Sequence, residues 1–274
     1  MNKFHYILAI ILFTGLGKLY AQFEEEEERQ GYRGFEGSFH FGYYFADGEA
    51  GQFYNGESEG RLKRTIIDNF FNYNAIYDAL GGYDFIIYEY SQSMQYKANT
   101  YWGLRGSYFL TDHLGIFGAF NSIELRSVGI WTIEVERFNG GVTEPYLEIC
   151  NALGEEQRIN LDLGMIYQFN PENPFTMFVE GGMNWNYQQV KKNEVQVLHL
   201  QYNILYDQMN NVRVPYTASG FGAMAGVGGR YNFSQGYTVD LVLQAYRHDL
   251  DLLPHNGAFN DFAILLRFAS HGLF

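Results

Sequence analysis

The chain has 274 residues and a formal net charge of −13, with 18 Lys and Arg against 31 Asp and Glu. That balance argues against a nucleic-acid partner, which needs a basic face to displace counterions, and a single Cys excludes both an intramolecular disulfide framework and an all-cysteine metal site. An aromatic content of 18%, with Gly 31 and Pro 5, excludes a disordered chain and favours one large β domain of many strands joined by turns.

Residues 1–21 read as a secretory signal peptide. Lys3 supplies the positive start, Tyr6 to Leu16 the short apolar run, and Leu19 and Ala21 the positions before a cut ahead of Gln22. The apolar run falls short of the roughly 20 residues that a spanning helix needs. No Cys follows it, which excludes a lipoprotein anchor. Residues 22–33 hold the acidic run Glu24 to Glu28, read as a solvated flexible segment because five like charges repel and bury nothing.

From residue 34 to 274 the chain alternates with period two. No stretch reaches 18 apolar residues, so no spanning helix is expected there. In Phe35–Phe45 the odd positions are Phe35, Gly37, Phe39, Phe41, Tyr43 and Phe45, and the even ones include Glu36, Ser38 and His40. Successive strand side chains point to opposite faces, so one face is aromatic and the other polar or small. Ile159–Phe169 and Phe175–Gln188 repeat the pattern, with Ile166 as an apolar break in the polar face of the first. Ala98–Leu110, Leu114–Leu125, Phe221–Phe233, Tyr237–Arg247 and Asp261–Phe268 follow it less purely. That makes eight strands.

The connections alternate as well. Thr111–His113, Asn170–Pro174 and Ser234–Gly236 are short and turn-rich. The other four are long: about 50 residues after Phe45, about 30 after Leu125, about 30 after Gln188 and about a dozen after Arg247. Short and long connections therefore fall on opposite sides. A soluble sandwich gives no reason for that asymmetry. An even strand number, short periplasmic turns, long outer loops and aromatics near strand ends all fit an outer-membrane barrel. The expected fold is all-β, an eight-stranded antiparallel transmembrane barrel over 34–274. A ten-stranded variant stays open if residues 46–95 hold a further membrane hairpin.

With its signal peptide, eight alternating strands, three tight turns and terminal Phe274, the chain resembles small outer-membrane barrels of the OmpA/OmpX type. The resemblance covers about residues 31–274 and is one of pattern. It implies the outer membrane of a Gram-negative bacterium, contact with outer-membrane lipid and lipopolysaccharide, the barrel assembly machinery as a partner, and a terminal aromatic as assembly signal. Here Ala269–Gly272 breaks the alternation, which makes Phe268 an alternative strand end.

An eight-stranded barrel holds only its own side chains inside. The expected interior charges are Glu36, Arg105, Asp162, Glu180, Arg230, Asp240 and Arg267, forming a polar plug because an interior charge without a partner is costly. If Phe233 faces Tyr237, Arg230 faces Asp240. Gly226, Gly228 and Gly229 read as relief of crowding rather than a phosphate loop. His248 stands where some lipid A deacylases of this size carry a His-x-Ser pair, but Leu250 replaces the serine. His248 with Asp249 and Asp251 lacks the second acidic pair of an omptin-like protease. No enzyme and no cofactor is expected, and Cys150 has no visible role.

Residues 46–95, with Asp68–Tyr73 and Tyr83–Tyr90, form a Tyr-rich loop suited to contact, and Tyr83–Tyr90 and Val128–Val135 read equally as extensions of strands two and three beyond the membrane. The expected function is a structural or interaction barrel that offers its outer loops to a surface or envelope protein partner. The alternative is a small-solute pore or transporter, and a lipid-modifying enzyme is a third class.

Overall fold

The computed structural model describes residues 33–57, 61–92, 94–137, 146–204, 206–207, 212–213, 217–234, 236–252 and 255–271. The expected signal peptide, the acidic run Glu24 to Glu28 and the terminal Phe274 lie outside the described residues. Arg33, the last residue of the 22–33 segment, is described, with its guanidinium 3.0 Å from Asp112 in the first short turn.

The strands in chain order are β1 (Gly34–Phe45), β2 (Phe85–Glu89), β3 (Gln95–Tyr96), β4 (Asn99–Phe109), β5 (Leu114–Val135), β6 (Tyr146–Phe169), β7 (Phe175–Val197), β8 (Leu200–Asn203), β9 (Tyr206–Asp207), β10 (Val212–Arg213), β11 (Thr217–Ser234), β12 (Tyr237–Leu252) and β13 (His255–His271). Among the described residues between β1 and β2 lie three short α-helices, α1 (Gly48–Gly51), α2 (Arg61–Ile66) and α3 (Phe70–Ala79), and a 3-10 turn at Gln52–Asn55. Eight strands run antiparallel in the order β1, β4, β5, β6, β7, β11, β12, β13, and β13 pairs back onto β1, so the sheet closes. Closure removes the sheet edges that hydrocarbon cannot satisfy. Among the described residues, 46–95 add no membrane hairpin to this ring.

The period-two pattern sets the two faces. Phe39, Phe41, Leu104, Leu161, Leu163, Val179, Leu241 and Leu243 point outward, with Leu163 69% exposed. Glu36, His40, Arg105, Asp162, Glu180, Asp240 and Arg267 point inward and are buried. Apolar outside and polar inside is the inverse of a soluble core, and only a hydrocarbon solvent stabilises it.

Beyond this belt the polarity reverses, and the strands run on. Outward positions become Glu124, Arg126, Glu155, Gln157 and Lys192, while Trp131, Ile133, Val135, Cys150, Ala152, Val190 and Val195 turn inward and are buried. The long connections are accordingly shorter than expected. Only residues 136–145 separate β5 from β6, and residues 253–254 separate β12 from β13. The barrel therefore projects as a wall past the belt, dressed there for water outside. Strand two reaches this wall in pieces: β2, β3 and β4 all pair with β5, at Val135, Val128 and Ile123 respectively. Extension of strands two and three is thus what the structure shows, with strand two interrupted.

Two local readings are corrected. Phe268 is not the strand end, since β13 continues to His271, opposite Glu36. Phe233 does not face Tyr237, because Ser234 does; the register shifts at Phe233 and places Arg230 opposite Asp240 all the same.

Candidate functional site

The inward residues form a stacked polar column. Its lower tier joins β1, β4, β7, β11, β12 and β13. Arg230 donates from Nε and Nη2 to Asp240 at 2.8 and 2.9 Å, and from Nη1 and Nη2 to Glu36 at 2.8 and 3.1 Å. Arg267 stands 3.4 Å from Asp240 and 3.2 Å from Glu180. Arg105 donates to Glu180 at 2.6 Å and stacks over Phe117 at 3.7 Å. Three arginines and three carboxylates thus form one continuous network of charge-assisted bonds. Gln244 adds a donor to Glu180 at 2.7 Å.

Asp162, the seventh expected charge, stands apart. Amides hold it: Asn121 at 2.8 Å and Asn184 at 2.5 Å, with the Tyr246 hydroxyl at 3.3 Å. Apolar side chains fill the rest of this level. Ile166 turns inward and packs with Phe109, Phe117 and Phe178. Gly226 and Gly228 also face in. A Cβ at Gly228 would run into the Phe178 ring, and one at Gly226 would lie 2.9 Å from Glu180 Cγ. Gly229 faces outward, toward Phe175.

An upper tier was not singled out from sequence. Arg158 donates to Glu156 at 2.6 Å and to Asp261 at 2.8 Å, all three fully buried. Tyr44 donates to Asp261 at 2.5 Å and Tyr96 to Glu156 at 2.9 Å. Tyr54, from the first loop, also donates to Glu156. Arg158 and Glu156 continue the inward parity of Asp162 and Asn160 by one and two further steps, which is the signal that could have found them.

Above the upper tier the first loop folds into the projecting wall. Phe53, Tyr54, Leu62, Ile66, Ile76 and Leu80 are buried against Trp131, Ile133, Val195 and Val197. Asn69 caps α3 by accepting from the backbone N–H groups of Phe71 and Asn72. Asp47 ties the loop to β13, accepting from Asn260 N–H at 3.1 Å while its own N–H donates to Asp261 at 2.7 Å. Apolar residues of the loop from Phe53 to Leu80 thus find the wall's inner face, whereas in the Tyr-rich stretches Asp68–Tyr73 and Tyr83–Tyr90 only Phe85 is buried. Phe70, Phe71 and Tyr88 remain exposed, Phe71 at 81%.

His248 faces inward with Nε2 3.3 Å from Asp261, whereas Asp249 faces out. The side chains of Leu250 and Asp251 lie outside the described residues. Cys150 is buried in the projecting part of β6, where burial and the neighbouring Glu148 push its thiol up to about 12. Among the described residues no group of His, Cys, Asp and Glu has metal-binding geometry.

A closed ring, an apolar outer belt and a polar, side-chain-filled interior define a small eight-stranded transmembrane β-barrel of the outer-membrane type. No protein-family model matches the chain, and no curated protein matches it in sequence. Among solved structures it is similar to Neisserial surface protein A, at 7% identity and a TM-score of 0.46, covering 87% of this chain and 97% of that one. It is also similar to Ail, the attachment invasion locus protein of Yersinia pestis, at 10% identity and 0.36, covering 87% and 99%. The outer membrane protein OprG of Pseudomonas aeruginosa matches at 9% identity and 0.39, covering 88% and 97%.

Proposed function

We propose that this chain is a non-conducting barrel of the Gram-negative outer membrane, delivered by its signal peptide and the barrel assembly machinery, that serves as a structural and interaction protein rather than an enzyme. One observation carries the sealed interior: two tiers of buried ion pairs stand in series below a loop that packs into the outer end. Opening a path would strip partners from buried charges, at a cost of several kcal/mol each. Lipid and lipopolysaccharide contact the belt.

The surface offered to an envelope or surface protein is the outer wall beyond the belt, to which the first loop contributes through β2. Ile86 and Tyr88 on β2, Ile130 on β5, and Leu147 and Ile149 on β6 are exposed there. The register joins them: Ile86 and Leu147 both lie opposite Glu134, and Ile149 opposite Thr132. Exposed apolar groups clustered on a polar wall mark contact surfaces.

Planar-bilayer recording tests the seal. The expected result is no steady conductance from pure protein. A steady large conductance overturns the sealed reading. A second reading, a narrow hydrated path, has one observation in its favour. Asn160 and Asn186 are fully buried side by side without a hydrogen-bond partner among the described residues. A small conductance abolished by Asn186→Leu would select it.

A further inference from the structure

The interior charges do not balance along the barrel. In the lower tier three arginines meet three carboxylates. Above it stand Asp162, Glu156 and Asp261, and the buried cation at that level is Arg158, which donates to Glu156 and Asp261. All three acids act as carboxylates, because each accepts hydrogen bonds on both of its oxygens. Three carboxylates against one guanidinium leave two negative charges in excess, and a buried charge without a partner is costly. Arg61, the other buried cation among the described residues, belongs to α2 in the first loop and stacks over Phe53 at 4.6 Å. His248 stands 3.3 Å from Asp261, and a proton on it would offset only one of the two charges.

The same stretch holds buried amides with oxygens to spare. Asn184 donates from Nδ2 to Asp162 at 2.5 Å, and Gln188 from Nε2 to Glu156 at 2.5 Å. The carboxylates thereby fix which way each amide lies. Asn184 Oδ1 and Gln188 Oε1 are left without a hydrogen-bond partner among the described residues. Between them on β7 stands Asn186, opposite Asn160 of β6, and neither atom of either amide is bonded. These four residues are at most 1% exposed. Gly220 and Gly222 of β11, opposite Asn186 and Asn184, place no side chain over them. Four buried amide oxygens thus lie on two adjacent strands, with Asp162 at one end and Glu156 at the other.

We propose that these amides hold one calcium ion inside the barrel. It lies between Asn160 and Asn186, with Asn184 Oδ1 and Gln188 Oε1 as further ligands and Asp162 as the flanking charge. The excess of two negative charges selects a divalent over a monovalent ion. The donors select the kind of divalent ion. Amide oxygens are hard ligands that suit calcium and magnesium rather than metals that prefer nitrogen or sulfur.

Magnesium demands a tight, near-ideal octahedron and dehydrates reluctantly, whereas calcium accepts six to eight oxygens in flexible geometry. Inward residues that follow one another at about 7 Å along a strand make a wide cage of the second kind. Such a site needs no cluster of His, Cys, Asp and Glu, and none is present among the described residues. An ion enclosed between two tiers enters as the strands close, so its binding is part of folding. The inference rests on the inward charges and not on whether the interior is sealed.

Two measurements on the mature protein test it. The first is elemental analysis of barrels extracted from membranes in mild non-ionic detergent and passed through EDTA, which strips ions held at the surface. Wild type should retain one calcium per chain, and the Asn160→Leu/Asn186→Leu variant at least about tenfold less. The second is urea unfolding after refolding into phosphatidylcholine vesicles. Calcium at about 100 times its dissociation constant should raise the wild-type midpoint by about 1 M over EDTA. Magnesium should not, and the double variant should not respond to calcium, whatever its own midpoint. A wild-type barrel without calcium and without a calcium-dependent midpoint overturns the proposal, since the amides then hold water only. Equal calcium in the double variant, or an equal shift with magnesium, also overturns it. Should the double variant fail to fold, Asn186→Ala alone should still lower the calcium content, and unchanged content there overturns the site. The midpoint shift does not depend on the seal and bilayer conductance is recorded separately, so failure of the sealed reading and failure of the calcium site are told apart.

Discussion

Replacing Arg230 with Met should be the most damaging single change in the lower tier. Its guanidinium makes four bonds to Glu36 and Asp240, with all three side chains at most 2% exposed. Breaking a buried pair from one side costs about 3–5 kcal/mol, because the partner charge stays buried. The two carboxylates do not suffer equally. Asp240 keeps Arg267 at 3.4 Å, whereas Glu36 is left with His271 at 3.5 Å. Most of the cost therefore falls on Glu36, and the Arg230→Met/Glu36→Gln double variant should recover more than half of it. The assay is urea unfolding of barrels refolded into lipid vesicles, followed by tryptophan fluorescence from Trp102, Trp131 and Trp185. With a urea dependence of about 2 kcal/mol per molar, Arg230→Met should lower the midpoint by about 2 M. A shift no larger than that of Asp112→Asn, which removes only the exposed pair with Arg33, would refute the reasoning. So would a double variant no more stable than the single one.

Four further outcomes follow. Leu62→Asp with Ile66→Asp should detach the first loop from the wall, so that limited proteolysis cuts within 61–80 at least about tenfold faster while the barrel still resists heat as wild type does; unchanged cutting contradicts the packed loop. Cys150 should react with a maleimide at pH 8 far more slowly than an exposed thiol, because a thiol at about 12 is about one part in 10⁴ thiolate at that pH, and the loop-released variant should react faster. The same thiol stabilises the fold fully below the ordinary thiol range, near 8.5, and loses that contribution as pH rises toward 12, since the unfolded chain ionises first; Cys150→Ser should flatten this alkaline part of the stability profile. Leu163→Arg should destabilise the barrel by about 2–4 kcal/mol in the same urea assay, and a neutral effect would mean that Leu163 does not meet lipid.

How much of this was legible depends on which solvent the sequence was written for. Inside the belt, alternation such as Phe39, His40, Phe41 reveals both faces directly, and seven of the eight ring strands are visible in it, while Leu114–Leu125 has no clear polar face. The inward charges follow from the same parity, although the sequence does not show that Arg230 bridges two carboxylates or that Asp162 is held by amides. Beyond the belt the rule inverts. In Trp131, Thr132, Ile133 the apolar residues face in, and the apolar side of the alternation, which marks lipid within the belt, there marks the buried inner face of the wall. A reading tuned to apolar-outward strands stops at Leu125 and at Ile159 and takes the remainder for loop, which is why Glu156 and Arg158 went unmarked. The first loop was harder still. Tyr54 and Phe53 carry no local sign of burial, because the wall that buries them comes from β5, β6 and β7, distant in sequence.

The central claim is that the aromatic and aliphatic face of each strand meets lipid while the charged face is sealed inside. Single cysteines at Leu163, Leu241 and Gln244, each in a Cys150→Ser background and carrying a fluorescent label, test it with a lipid-soluble quencher in reconstituted vesicles. Strong quenching at Leu163 and Leu241, with little at Gln244, is the expected result. Leu163 and Leu241 shielded from the quencher, with Gln244 quenched as strongly, would contradict the barrel as described.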